Sequence, residues 1–273
     1  SGYHAASGSG GSIYLTVSTI SGRGSASANG GAHEVGGGGG RVAAHYVDMA
    51  TISNAAFTAL GGAASYVGAN GTVFLRDLYE GGGTLVVDGQ GASTTWATLP
   101  IPPGYVFDNI IIRNGARVIV DDPLVVSDKV TIAASSILTH TRGNTNGVQI
   151  TAKRVEIDAT SSIDVSGMGY RGGRRDGNNQ SRGETLYGQA GAYARSGGSY
   201  GGLGGTADGS GPHLPYGQPN QPIYLGSGGS EGSFSYAGGN GGGRVKIVAS
   251  ESARIDGAIY ALGQSGSGYT AGS

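Results

Sequence analysis

The chain has 273 residues, a formal net charge of −1 and only 13% charged residues, so it lacks the basic surface that marks nucleic-acid binding. It contains no Cys, which excludes a disulfide framework and thiolate metal sites, and no apolar run approaches the 18 residues of a membrane span. Glycine contributes 57 residues but does not recur at every third position, which excludes a collagen helix.

Two similar segments open the chain, at residues 10–31 and 38–62. Each begins with glycine, continues as an alternating apolar run, and then reaches a shorter run with small side chains. In the first segment Ile13, Leu15 and Val17 alternate with other residues, and a period of two predicts a β-strand. The flanking glycines predict corners with positive φ, where neighbouring backbones come close together.

Short strands with turn signals between them occupy residues 107–140. Asn114-Gly115 is a strong turn signal, and the strands recur about every ten residues, a spacing typical of a parallel β-helix. Two further copies of the opening repeat follow at residues 146–169 and 241–264. No segment has a helical period.

These patterns predict an all-β fold, a right-handed parallel β-helix or β-solenoid with long glycine-rich loops. We expect the four repeats to stack as coils, with Ile13, Val42, Val148 and Val245 facing inward. The prediction is one continuous domain in four stretches: solenoid coils with glycine-rich corners at 1–106, regular coils at 107–169, glycine-, tyrosine- and proline-rich loops at 170–240, and a coil leading to the next module at 241–273.

Residues 170–240 differ from the rest in composition. We interpret them as ordered loops packed on the solenoid, because regularly spaced tyrosines are unusual in disordered segments. The alternative is a disordered low-complexity insert. The tyrosines expected to hold the loops in place are Tyr187, Tyr193, Tyr200, Tyr216, Tyr224 and Tyr236.

The best candidate binding site lies at the start of these loops. Arginine suits bidentate binding of carboxylate or sulfate, and tyrosine can stack on sugar rings, so the cluster predicts an acidic-glycan site. The alternative is that the arginines donate to the carbonyls of the glycine-rich backbone. The candidate residues are Tyr170, Arg171, Arg174, Arg175, Arg182 and Tyr187.

Catalysis has weaker support in the sequence. Glycosidases need two carboxylates across the scissile bond, and Asp121, Asp122, Asp158 and Asp164 are the candidates. Their places in turns and at strand ends favour a role in capping bends. We therefore predict no catalytic residue and no enzyme activity.

Other ligand patterns are also absent or incomplete. The five histidines are scattered, the calcium-binding glycine repeat is missing, and the glycine run at 36–41 leads into a strand, so we predict no metal and no cofactor. Asn70 and Asn179 fit the N-glycosylation pattern.

Several segments together resemble a module of very large secreted bacterial proteins, which carry it in tandem. The segments are GGSYGGLGG at 197–205, LGSGG at 225–229, GGGRVKIVA at 241–249, SGSGGSIYLTV at 7–17, SASANGG at 25–31, GGGGGRVA at 36–43, and GTVFLRD with GTLVVDGQG within 71–91. The resemblance covers nearly the whole chain and implies a glycine-rich parallel β-helix. In the family pattern the unit begins near Phe107, so we expect this chain to be one repeat cut at a glycine loop.

Composition and resemblance together predict a secreted or cell-surface structural or adhesive protein, such as the repeating unit of a filament. The alternative is a polysaccharide-binding or lyase-like β-helix. The expected partners are a second copy joined head to tail, with residues 266–273 beside residues 1–12 of the next, and an acidic polysaccharide. Glycine-rich, strand-bearing ends without polar caps support that joining, either within one long chain or by β-augmentation between chains. We predict no nucleic-acid partner and no membrane insertion.

Overall fold

The computed structural model describes residues 5–50, 56–91, 95–186, 191–207, 211–233 and 236–267. Within these ranges the chain consists of β-strands and extended segments, with no α-helix, so the predicted all-β class is confirmed. The strands are β1 (Ser12–Thr16), β2 (Thr19–Ile20), β3 (Ala26–Ser27), β4 (Arg41–Tyr46), β5 (Asp48–Met49), β6 (Phe57–Thr58), β7 (Thr72–Asp77), β8 (Thr84–Asp88), β9 (Ala97–Thr98), β10 (Phe107–Arg113), β11 (Arg117–Ile119), β12 (Leu124–Ile132), β13 (Ile137–Thr139), β14 (Val148–Ile157), β15 (Ser162–Asp164), β16 (Val245–Ile255) and β17 (Ala258–Tyr260).

Two open sheets contain most of the strands. The larger has the order β1-β4-β7-β8-β10-β12-β14-β16, and the smaller has the order β17-β15-β13-β11-β9. From β8 onward, successive strands alternate between these two sheets. Two further pairs, β2 with β5 and β3 with β6, are parallel.

One pair departs from the uniformly parallel arrangement that the sequence predicts. β7 and β8 are antiparallel, with Phe74 opposite Leu85, so the larger sheet is mixed. Glycine residues 81–83 follow β7 and reverse the chain, and Gly83 has a φ of +76°. The Asp108 carboxylate accepts a hydrogen bond of 2.6 Å from the Gly83 N–H, which fixes this turn. This glycine run therefore forms a hairpin between β7 and β8.

The four repeats occur as two neighbouring pairs, not as one stack. β1 and β4 are parallel with Ile13 opposite Val42, whereas the other two repeats place β14 beside β16. The side chains predicted to face inward are all at least partly covered. Val42 and Val148 are buried, while Ile13 and Val245 are half-buried because β1 and β16 are the outermost strands of the larger sheet.

Contacts divide the chain into two compact units. The first comprises Ser1–Leu138, Ile150–Ile163 and Ile247–Ala258, and the second comprises Thr139–Gln149, Asp164–Lys246 and Ile259–Ser273. The first unit contains fully buried β-branched and leucine side chains from alternate strand positions, such as Ile110, Ile112 and Val130. This arrangement is the apolar core predicted from the period-two pattern.

Glycine-rich segments of the first unit pack backbone against backbone. A Cβ on Gly62 would lie 1.9 Å from the Gly31 carbonyl oxygen, and one on Gly37 would lie 1.9 Å from that of Gly8. Neither residue has a φ in the left-handed region, so the requirement for glycine there is one of space. The close segments hydrogen-bond directly, for example from the Gly62 N–H to the Gly37 carbonyl at 2.8 Å.

The second unit combines similar glycine packing with a tyrosine cluster. The rings of Tyr200 and Tyr216 lie 5.0 Å apart, and those of Tyr216 and Tyr224 lie 6.1 Å apart. The Tyr216 hydroxyl donates to the Leu225 carbonyl at 2.5 Å and accepts from Ser227 Oγ at 3.0 Å. Burial raises the pKa of this phenol, partly offset by hydrogen bonds from neighbouring hydroxyls. These contacts show that three of the predicted tyrosines pack against one another and against the loop backbone; Tyr187 lies outside the described residues.

Candidate functional site

The predicted arginine cluster follows β15 in the second unit, on a backbone fixed by glycine-rich neighbours. The Tyr170 N–H donates to the Gly226 carbonyl at 3.0 Å, and the Gly173 N–H donates to that of Gly229 at 2.9 Å. Beyond this anchor the chain turns sharply, because Arg174 and Asp176 both have φ values near 50° (55° and 51°). Non-glycine residues seldom adopt this conformation, so the turn must be held by its surroundings.

Asn178 provides much of that hold. Its buried side-chain amide donates to the Gly172 carbonyl at 3.0 Å and to the Arg182 carbonyl at 2.7 Å. Its Oδ1 atom accepts from the Gln180 N–H at 3.0 Å. The Asn178 side chain therefore hydrogen-bonds to the chain on both sides of the turn. These bonds fix the position of Arg182 relative to the segment that contains Arg171.

Three of the predicted residues line one polar surface cavity of about 480 Å³. These are Tyr170, Arg171 and Arg182, and they are joined by Arg142 from the loop after β13. The polar side chains of Asn178, Gln180, Glu184 and Thr185 complete the lining. The guanidinium of Arg182, the amide of Gln180 and the carboxylate of Glu184 belong to residues that are at least partly exposed, a combination that suits a polar, hydroxyl-rich ligand.

Arg174 and Arg175 do not line the cavity. Arg174 Nε donates to Glu231 at 3.0 Å, and its Nη1 donates to the Asn179 carbonyl. Arg175 Nη1 donates to the Ser265 carbonyl at 3.2 Å. These two arginines make the backbone contacts of the alternative interpretation, whereas Arg171 and Arg182 line the cavity. Tyr187 lies outside the described residues.

Carboxylates moderate the positive charge of the cavity. Arg142 pairs with Asp176 at 2.8 Å, and Arg171 lies 3.7 Å from Glu184. The Arg182 guanidinium instead stacks 4.8 Å from the centre of the Tyr193 ring. A cation over an aromatic face keeps its edge N–H groups available for an anion, so Arg182 is the strongest anion-binding candidate here.

Sequence reasoning missed Arg142 as well as the uncharged and acidic lining residues, and Arg142 is the arginine among them. It lies 28 positions before Tyr170, inside a turn-rich segment, and only the folded chain brings the two together. Its Nε donates to the Gly167 carbonyl at 3.1 Å. No local pattern around residues 141–146 distinguishes this arginine from an ordinary loop residue.

Two of the four candidate catalytic aspartates, Asp158 and Asp164, accept hydrogen bonds from turn backbone. Asp158 accepts from the Ala134 N–H at 2.5 Å and from the Thr160 N–H at 3.0 Å, and Asp164 accepts from the Ser166 N–H at 2.9 Å. Burial raises the pKa of Asp158, but these bonds, together with those from the Thr160 and Ser161 side chains, outweigh it and hold the pKa at about 2. A carboxylate so fully committed to neighbouring donors is a poor proton carrier at neutral pH.

Two glycosylation candidates differ in accessibility. The Asn70 side chain is buried, and its Oδ1 accepts from the Gly61 N–H at 3.0 Å. Asn179 is exposed. The folded chain therefore leaves Asn179 accessible and excludes a glycan at Asn70.

The part of the chain that the structure describes contains no helix long and apolar enough to cross a membrane. Its His, Asp and Glu side chains do not gather into any group of three that could hold a metal ion.

The sequence predicts that residues 1–12 and 266–273 of neighbouring copies meet. Residues 1–4 and 268–273 of these stretches lie outside the described residues. The two outermost strands of the larger sheet, β1 and β16, are described, and each has a neighbour in that sheet on one side only.

Comparison with known proteins finds no matching family model, no similar curated protein and no similar solved structure.

Proposed function

We propose that this chain is an extracellular structural or adhesive module of β-solenoid character that associates head to tail with further copies. The observation that carries the proposal is the pair of outer strands, β1 and β16, at the two ends of the larger sheet. An unpaired edge strand is a template for another strand, and natural proteins that stay monomeric shield it. Repetition of one surface-to-surface contact that does not close into a ring produces a filament.

Chain topology supports the solenoid part of the proposal. From β8 onward the chain alternates between two sheets, and the strand order of each sheet follows the sequence. Successive coils of a solenoid would follow the same order, with the antiparallel β7–β8 hairpin as a local interruption. Low charge and abundant glycine support an extracellular location. The roles of Asp158 and Asp164 in turns support a function other than catalysis.

Electron microscopy with sedimentation velocity tests the structural proposal. Purified chain examined over a rising concentration series should form filaments of uniform width, with a growing fraction of fast-sedimenting species. If the protein remains monomeric at the highest soluble concentration, head-to-tail association is wrong.

A second function, binding of an acidic polysaccharide, is favoured by the cavity that contains Tyr170, Arg171 and Arg182. Alginate or heparin should bind more tightly than neutral dextran, and affinity should fall as salt rises. The double variant Arg171→Ala/Arg182→Ala should lose at least tenfold in affinity.

Arg174→Ala/Arg175→Ala is the matched control for the glycan experiment, because both arginines contact the protein and not the cavity. Equal losses for the two double variants would locate binding outside the cavity. Equal affinity for dextran and alginate would contradict anionic-glycan recognition altogether.

A further inference from the structure

Apolar side chains are exposed at both edges of the larger sheet. On β1 the Tyr14 side chain is 71% exposed, and on β16 Val248 is 46% exposed. Exposed apolar side chains on an unpaired edge strand add contact area for a strand that joins that edge.

The outer strand β16 repeats the sequence of an inner strand. Three glycines, Arg and Val precede or begin both, at residues 241–245 and 38–42. The inner strand β4 has partners on both sides, with β1 on one side and β7 on the other. β16 therefore matches a strand that accepts a second parallel neighbour.

Backbone hydrogen bonds show which residues of each edge strand direct their N–H and C=O groups toward the open side. In a parallel sheet the N–H and C=O groups of one residue point to the same side, and those of the next residue point to the other. The Arg41 N–H donates to the Gly11 carbonyl on the β1 side, and the Arg244 carbonyl accepts from the Val148 N–H on the β14 side. Arg41 and Arg244 are thus equivalent, so Val245 faces the open edge as Val42 faces β7.

The outward-pointing backbone groups of β1 alternate in a way that matches those of β16. Gly11 and Val17 bond to β4, so the backbone groups of Ser12, Tyr14 and Thr16 point outward. On β7 the equivalent of Ser12 is Thr72, since both lie opposite Arg41 in the sheet register. The Thr72 N–H donates to the Gly40 carbonyl of the preceding strand segment.

From these matching backbone groups we infer that β16 of one copy pairs in parallel with β1 of a second copy, with Arg244 opposite Ser12. The pairing continues the sheet in the register of β4 with β7 and rests on the proposed head-to-tail association. It places Val245 beside Ile13 and Ile247 beside Leu15 on the inward face. All four side chains are half-buried in the single chain, and the added strand would cover them further.

The length of the contact follows from β1, which has five residues. In the inferred register they lie opposite residues 244–248. From Ser250 onward β16 is exposed and carries Glu251 and Arg254, the kind of charged edge that resists strand addition. The apolar first half of β16 is therefore the docking segment.

Disulfide trapping tests the register, and the absence of native Cys makes the readout clean. Tyr14→Cys/Lys246→Cys places two exposed positions directly opposite each other in the inferred pair, about 5 Å apart and within disulfide range. Oxidised protein should form a ladder of covalent multimers on a non-reducing gel. The matched control, Tyr14→Cys/Val248→Cys, sets the two positions diagonally at about 7–8 Å and should give at most a faint ladder.

Each other result overturns the inference in a distinguishable way. Efficient dimerisation of Tyr14→Cys alone would indicate β1–β1 pairing, and that of Lys246→Cys alone would indicate β16–β16 pairing. Filaments without a ladder, or a stronger ladder from the diagonal control, would leave the proposed function standing and refute this register. The absence of both filaments and a ladder would refute the proposed function and this register together.

Discussion

A Cβ on Gly62 would enter the space of the Gly31 carbonyl, at 1.9 Å. Because the contact is with backbone, no side-chain rotation can relieve it. Gly62→Ala should therefore destabilise the chain by about 2 kcal/mol, the range of an overpacked site. Chemical unfolding measures the change, with Gly24→Ala as the control because no atom lies within 4 Å of a Cβ there. Equal stability of the two variants would show that the glycine segments are loosely packed.

His140 forms a second residue-level test. It is fully buried, its Nδ1–H donates to the Thr141 carbonyl at 2.8 Å, and its Nε2 accepts from the Arg244 N–H at 3.3 Å. His140→Phe removes the imidazole and leaves the Thr141 carbonyl and the Arg244 N–H without this hydrogen-bond partner. The free energy of unfolding should fall by about 2 kcal/mol. The exposed His33→Phe should have little effect. A stable His140→Phe variant would mean that these backbone groups find other partners.

The Asp158 carboxylate links stability to pH. Its pKa in the folded chain, about 2, is below the ordinary 3.8, so ionisation favours folding. The contribution is complete above pH 4 and is lost as the pH falls from about 4 to about 2. Urea unfolding at steps across this window should show the loss, and Asp158→Asn should show a shallower one. Parallel curves for the two proteins would contradict this role.

At the scale of elements, the strands were predictable because their side chains alternate with period two. The reversal between β7 and β8 was not, because its glycines look like those of the other corners, and Asp108, which fixes the turn, lies 25 residues further on. Only part of the cavity lining was predictable, because residues that are distant in sequence also contribute to it. Arg171 and Arg182 are near in sequence, whereas Arg142 reaches them only through the fold.

The tyrosine cluster makes the loops of the second unit a testable element. Tyr216→Phe removes the hydroxyl that joins Leu225 and Ser227. We expect chymotrypsin to cleave residues 193–225 of this variant several times faster than in the parent. Tyr79→Phe, at an 83% exposed position, is the control. Unchanged cleavage would show that ring packing alone holds the loops.

At the scale of the whole molecule, salt should weaken one of the two proposed activities and leave the other largely unchanged. Head-to-tail association depends on backbone hydrogen bonds and apolar side chains, which salt screens little. Anionic-glycan binding depends on Arg171 and Arg182, which salt screens strongly. In 1 M NaCl, light scattering should still detect multimers while alginate binding is lost. Loss of the multimers with the same salt dependence would indicate that charge, not strand pairing, joins the copies.

Amide hydrogen exchange of assembled against monomeric protein tests the central claim, that copies join through the two sheet edges. The outward-pointing amides of β1 (Ser12, Tyr14 and Thr16) and of β16 (Val245, Ile247 and Ala249) should exchange at least tenfold more slowly in the assembled state. Amides of β10 and β12, which have strand neighbours on both sides, should be unchanged. Equal exchange at β1 and β16 in the two states would contradict the account.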